Sequence, residues 1–515
     1  MGEQSESSRG KASSKLPDAA QPAPKEADVQ LPKQKWRPSA WQFAFGFLLV
    51  MGLGLFIAYA IWKSGVESEL NAAISTAYAK GEPVWFRDLE PEPISDAQNG
   101  RELFESANAM MTTKWRQARV HFVNDSQATP IYQYLLRGGT ASGRRQFFDN
   151  FYELTAADYE LIREVLVETA AMRQSLAQAL EYPAIQLEYD WDTSRPTHIL
   201  LPMHQQSRDF NNLLSAELAV ALHDGLYDEA FTVARNKLRL GRVFADEQLM
   251  VANILRISNV DNGIRGLEQL LDVTKLDDAQ TRELDEILQE FESNVRLKSA
   301  ILGERAMFMT TSLSVPDDLD SIAQADDLWT EFQVGAYRQL EALQMRDQIR
   351  LLETSREIAE IIDVPGEDAA QQMDRLQAKI DSLGSWHVVA SMGGNFASVR
   401  RRGLITRQHI INARLGLRVA RYRDMHGQLP ASLDEVLDES LPSLSPGLLS
   451  GQPLVYRRLL TDGQETGFAI YDIGENMTDD GGTDDEQEQN SGFEVRDRDA
   501  SQTAPEPDDA ASVDG

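Results

Sequence analysis

The longest uninterrupted apolar run in the chain extends from Ala40 to Trp62 and contains no charged side chain. At about 1.5 Å of rise per residue, a helix of this length crosses a hydrocarbon layer of roughly 30 Å. Trp41, Tyr59 and Trp62 lie near its ends, where amphipathic rings prefer the membrane interface. We therefore predict a single transmembrane helix within residues 39–63.

The charges on either side of this segment predict its orientation. Lys33, Lys35 and Arg37 precede the apolar run, whereas Glu67 and Glu69 follow it. Because basic residues are retained on the cytoplasmic side, we expect a cytoplasmic N-terminus, a single pass of the inner (cytoplasmic) membrane and a periplasmic C-terminal domain.

A cleavable signal peptide is the alternative interpretation of the same segment. Ala58-Tyr59-Ala60 has the small-x-small form of a cleavage site. The apolar run is longer than a usual signal-peptide core and has a long leading segment, which favours a membrane anchor.

The regions flanking the anchor differ in pattern. Residues 1–38 are rich in Ser, Lys, Pro, Gln and Ala, which predicts a disordered cytoplasmic tail. Residues 64–96 begin with a helical pattern that Gly81 and Pro83 interrupt, which predicts a helical stalk and linker.

Between residues 97 and 395 the dominant signal is the helical period, which predicts a multi-helix extracytoplasmic domain. Thr155 is expected to open one of its helices, and Asp277 and Asp278 form another start signal. The helix behind that second signal carries one apolar stripe, formed by Leu284, Ile287, Leu288, Phe291 and Val295.

Residues 214–244 predict a pair of antiparallel helices. Gly225, Tyr227 and Ala230 resemble the turn of a tetratricopeptide repeat, but Lys237 stands where that family has a small residue. The chain contains no second copy at the period of that repeat, so two ordinary core helices are the alternative.

From residue 396 to residue 487 the pattern predicts a small α+β module. A helix from Leu404 to Met425 is followed by a short helix that begins at Ser432. Two strands joined by Asp462-Gly463 then form a β-hairpin. The expected fold class is therefore mainly α, with one transmembrane helix and a C-terminal β-hairpin.

This module resembles the soluble end of the type II secretion major pseudopilins. The resemblance is carried by Tyr422, Gly427 and Pro430, and then by residues 471–476 and 480–484. It implies an accessory role in a secretion or pilus-like system and a calcium-binding loop. The chain departs from that family because it lacks the pilin-type processing site and has Asn and Met where the family's loop has Asp and Gly. The whole layout also resembles uncharacterised bacterial single-pass membrane-anchored helical proteins, which implies no activity.

The calcium hypothesis also has a physical basis. Calcium takes six to eight oxygen ligands, and side-chain oxygens lie close together in this segment. An acidic tail without an ion is the alternative, because residues 488–515 continue as a segment predicted to be disordered. The candidate calcium ligands are Asn476, Asp479, Asp480 and Asp484.

The composition narrows the function classes. The net charge of -31 argues against a nucleic-acid partner, because neutralising phosphates requires clustered Lys and Arg. The complete lack of cysteine excludes disulfides, thiolate metal sites and cysteine nucleophiles.

One basic helix stands out in this acidic protein. Arg407, Arg414, Arg418 and Arg421 lie on one face of the predicted helix near the C-terminus. They are candidates for contact with an anionic surface or a partner. The alternative is that they pair with carboxylates of their own fold.

No catalytic motif is present in the sequence. His198 and His204 do not have the spacing of a metal site, and Glu304-Arg305 is at most a charged pair carried into an apolar environment. We therefore expect binding or scaffolding of other envelope proteins, without a cofactor other than calcium. A hydrolase whose site is assembled from distant helices is the alternative. A deep pocket with convergent His, Asp or Arg favours the enzyme, and an open groove favours the binder.

Overall fold

The fold is mainly helical with a small antiparallel sheet, which confirms the predicted class at this level. Thr155, Asp480, Asp484 and the segment 1–38 lie outside the described residues, so the predictions made for them have no structural counterpart here. The computed structural model describes residues 40–111, 154, 156–194, 196–312, 339–383, 387, 395–439, 441–461, 463–479 and 491–496.

Helix α1 extends from Ala40 to Ala79. An 18-residue window within it has a mean hydropathy of 2.3 and no buried residue, so its length and composition are those of a membrane span or a signal sequence. Among the described residues it is the one helix with these properties. The prediction of a single apolar spanning helix is confirmed to that extent.

Residues 62–515 form a second compact unit, in which the remainder of α1 belongs to the core. Val66, Leu70 and Ala77 are buried there, and so are Val84 and Phe86 beyond the turn. The segment 64–96, predicted as a stalk and linker, is therefore packed against the domain.

The apolar stripe predicted behind Asp277 lies on helix α8 (Asp278–Asn294), and Asp277 caps the N-terminus of this helix as expected from the sequence. The Asp277 carboxylate accepts hydrogen bonds from the backbone N–H groups of Ala279 and Gln280, each at 2.8 Å. All four stripe residues within the helix are buried, and Val295, which ends it, is buried as well. The other helices before it are α2 (Arg101–Met110), α3 (Ala156–Glu168), α4 (Ala170–Leu180), α5 (Thr197–His223), α6 (Tyr227–Arg239) and α7 (Met250–Val273), with α8 spanning Asp278–Asn294.

The predicted antiparallel helix pair is present as α5 and α6. Gly225 joins them with a φ of 69°, a left-handed conformation that glycine adopts without strain. Helix α7 packs against both helices. The pair therefore forms part of a larger helical layer.

The later helices surround one long central helix. They are α9 (Lys298–Ser312), α10 (Glu341–Ile361), α11 (Glu367–Asp381) and α12 (Phe396–His426). Helix α12 contacts α7, α8 and α11, and most of its residues are buried. It is therefore longer and more central than the helix predicted from Leu404 to Met425.

The C-terminal sheet contains the predicted hairpin and a strand that was not predicted. Strands β1 (Val455–Thr461) and β2 (Gln464–Asp472) are joined through Gly463, which has a φ of 81°. Strand β3 (Ser491–Arg496) pairs antiparallel with β2. The disordered tail predicted for residues 488–515 is therefore wrong for residues 491–496, which form this strand.

The sheet and α12 share one core. A Cβ atom on Gly416 of α12 would lie 2.1 Å from the ring of Phe493, so only glycine allows β3 to approach this closely. The short helix after α12 is a 3-10 turn, Leu433–Val436, and the Ser432 side chain does not cap it. The module predicted at 396–487 is therefore built into the helical unit.

Candidate functional site

An open groove of about 720 Å³ lies between the C-terminal half of α1 and helices α10 and α11. Its apolar lining includes Ala72 and Ala73 of α1 and Ile349 and Leu352 of α10. The α1 wall is formed by small residues, whereas Ile349 and Leu352 are 7% and 0% exposed, so the exposed part of the α10 wall is charged. The volume is that of a typical ligand site, but the charged rims set it apart from an ordinary apolar pocket.

Helix α10 contributes a charged ridge to this groove. Arg346, Arg350, Glu353 and Glu357 occupy positions i, i+4, i+7 and i+11, so they follow one another along one helical face. We call these four residues the charged ridge. Its first two residues are basic and its last two are acidic, and Arg356, which also lines the groove, lies between Glu353 and Glu357 in the sequence.

Helix α10 runs alongside α1 in the same direction, because two ion pairs join them in register. Lys63 pairs with Glu341, and Glu69 pairs with Arg346 one to two turns further along both helices. Arg346, in the basic half of the charged ridge, therefore lies beside Glu69 of α1.

The outer pairs of the ridge are exposed. The Arg346 and Glu69 side chains are 49% and 54% exposed. Lys379 of α11 lies 3.6 Å from Glu357, and both side chains are more than half exposed. Such surface pairs contribute about 0–1 kcal/mol, so a partner can replace them at little cost.

Asp347 and His387 hold the Arg350 side chain in position. Its Nη1 lies 3.3 Å from Oδ1 of the buried Asp347 and 2.8 Å from Nδ1 of His387. That Nδ1 is itself 2.7 Å from Asp347 Oδ1. The Arg350 side chain is 38% exposed and lines the groove, so it is held in position and remains accessible.

The turn after α1 is clamped to α9 and α10 by a shared carboxylate. Glu82 Oε2 accepts hydrogen bonds from Arg305 Nη1 at 2.9 Å and from Arg356 Nη2 at 3.0 Å. Although burial alone would raise the pKa of Glu82, these two guanidinium groups lower it overall. Arg305 also donates to Pro83 O at 2.6 Å. Because Arg356 lines the groove, the groove wall is tied to the end of α1.

Glu304 and Arg305, adjacent in sequence, do not pair with each other. Adjacent residues on a helix point in different directions, and Glu304 instead accepts a hydrogen bond from the Met250 N–H at 3.2 Å. Burial raises the pKa of Glu304 to about 7. The sequence suggested a charged pair in an apolar environment, whereas the structure gives each of the two residues a separate partner.

Two of the four predicted arginines of α12 are buried and paired within the fold. Arg414 Nε lies 2.9 Å from Asp285 Oδ1, and its Nη1 contacts Glu292. Arg418 Nη2 lies 2.8 Å from Asp285 Oδ2. Burial alone would raise the pKa of Asp285, but hydrogen bonds from the two arginines outweigh it and lower the pKa. Pairing with their own fold, the alternative interpretation, therefore describes these two residues.

The other two arginines lie toward the ends of that face. Arg407 donates to the backbone carbonyl of Asp363 at 3.0 Å. Arg421 is exposed and pairs with Asp278 at 2.9 Å. Contact with an anionic surface or a partner stays a prediction, and Arg421 is the residue most accessible for it.

The described part of the candidate calcium loop is held by protein groups. Asp479 Oδ1 accepts a hydrogen bond from the Tyr471 hydroxyl, and Oδ2 accepts one from Arg457 Nη2, both at 2.7 Å. Asn476 Oδ1 accepts the Thr478 N–H at 3.0 Å. Within the described residues no group of three or more His, Asp or Glu side chains is arranged for a metal ion. Calcium binding stays a prediction.

Asp472, one residue after Tyr471, was missed by the sequence analysis. It is fully buried and accepts hydrogen bonds from Leu449 N at 2.9 Å, Ser450 N at 3.3 Å and Gly474 N at 3.2 Å. A Cβ atom on Gly447 would lie 2.3 Å from the Asp472 carboxyl carbon. The carboxylate therefore fastens the preceding loop to the end of β2, and its acidic neighbours in sequence concealed this structural role.

A second buried Asp–His pair connects α7 and α12. His409 Nδ1 lies 3.3 Å from Asp261 Oδ1, and Thr406 Oγ1 and Arg402 Nη2 donate to Asp261 Oδ2 at 2.9 and 2.6 Å. His409 Nε2 has no hydrogen-bond partner within the described structure. Both side chains are more than nine-tenths buried, which keeps a substrate away from them.

Lys237, which departs from the tetratricopeptide pattern, is fully buried. Its Nζ donates to Ser215 Oγ at 2.9 Å. Burial lowers the pKa of Lys237 to about 7, and the nearby charge of Arg265 adds to the effect. Gly266 provides the space, because a Cβ atom there would lie 3.2 Å from Lys237 Cδ.

These observations separate an accessible groove from several buried ionic sites. The groove is open and lined by charges of both signs, and the two Asp–His pairs do not line it. The chain matches no protein-family model, no curated protein and no solved structure.

Proposed function

We propose that this chain is a single-pass inner-membrane protein whose domain beyond α1 lies in the periplasm and binds or scaffolds other envelope proteins. The observation that carries the proposal is the open groove, one wall of which is α1 itself.

The attachment of the domain to α1 supports this role. Val66 and Leu70 are buried, and Glu82 binds Arg305 and Arg356 from two further helices. A freely jointed stalk would let the domain tumble, whereas these contacts fix the groove relative to the end of the helix. Such rigidity lowers the entropy cost of binding a partner.

The charge asymmetry around the apolar run supports the orientation. A reporter that is active only outside the cytoplasm, fused after Gly515, is expected to be active, and a reporter that requires the cytoplasm is expected to be silent. The reverse pattern would overturn the orientation. A tag placed before the apolar run should remain in the membrane fraction at full polypeptide mass, and its loss would identify a cleaved signal peptide instead.

In-cell photo-crosslinking tests the binding role. A photoreactive amino acid at Thr76, which lines the groove, is expected to give a discrete adduct with a different protein. The matched control is the same substitution at Glu286, which is exposed on α8 away from the groove lining. Equal adducts at both positions, or none at Thr76, would contradict a binding groove.

A further inference from the structure

We draw no further inference here: the strongest candidate, the outer edge of strand β1 at one end of the sheet, carries nothing because its exposed arginines, Arg457 and Arg458, already pair with Asp479 and Glu465, and nothing in the described structure shows what covers this edge.

Discussion

Burial changes the role of arginine between two sets, which are the buried Arg414 and Arg418 of α12 and the more exposed Arg346 and Arg350 of α10. Arg414 is 3% exposed and contacts two carboxylates, whereas Arg346 is 49% exposed and, among the described residues, pairs with the exposed Glu69. A buried cation must be fully paired, because leaving it unpaired costs far more than the pair itself gains. An exposed cation has no such requirement. The first set therefore holds the fold together, and the exposed pair of Arg346 contributes little to stability.

The largest expected effect comes from removing a buried member of the first set. Arg414→Met leaves Asp285 with one guanidinium partner and removes the contact between Arg414 and Glu292. We therefore expect a loss of about 3 kcal/mol or more in the free energy of unfolding. Urea denaturation of the membrane-free domain or of the nanodisc-held chain measures it. The matched control is Arg346→Met, and a loss of equal size there would break the distinction between the two sets.

Lys237 tests whether removing a buried amine from the core increases the free energy of unfolding. Its pKa is about 7 in the folded state and about 10.4 in an unfolded chain, so between these values the unfolded state binds more protons. Stability should therefore rise with pH from about 7 to 10, by up to a few kcal/mol. Lys237→Met should flatten this rise and be at least as stable as the parent at pH 7. A less stable variant with an unchanged slope would show that the amine is charged and well paired.

Glu304 is a buried acid, and its effect on the pH dependence of stability has the opposite sign to that of Lys237. Its pKa of about 7 in the folded state exceeds the ordinary value near 4.3, so the folded state keeps a proton that the unfolded state has lost. Its contribution to stability is present below about pH 4.3 and is lost as the pH rises to about 7. Glu304→Gln keeps an oxygen for the Met250 N–H and should raise the unfolding free energy at pH 8 by about 2 kcal/mol. No gain at pH 8 would indicate that the carboxylate is stably ionised.

The sequence predicted elements whose signals are local. The stripe of α8, its Asp277 cap and the hairpin around Gly463 follow from spacing and turn chemistry, and all three are present. Strand β3 was missed because six residues after an acidic run carry no turn signal that marks a strand. Local sequence signals therefore predicted this helix, its cap and the hairpin, but not strand β3.

The site was not predictable for a different reason, because its parts are far apart in the chain. Glu82 meets Arg356 across 274 residues, and Asp285 meets Arg414 across 129. Helical spacing places the four arginines of α12 on one face, but only the packed fold shows which carboxylates face them. The charged ridge shows the same limit, since its spacing is visible in the sequence whereas the groove beside it requires α1 and α11.

The smallest expected effect on stability concerns the charged ridge itself. Arg346→Ala and Glu357→Ala each remove one exposed pair, and each should change the free energy of unfolding by no more than about 0.5 kcal/mol. Thermal melting in nanodiscs measures this change, and photo-crosslinking from Thr76 in the same variants then measures binding. A nearly unchanged melting midpoint together with weaker binding would place the energetic role of these residues in recognition. A marked fall in the midpoint would instead make the ridge part of the framework, like Arg414, and the contrast between the two arginine sets would disappear.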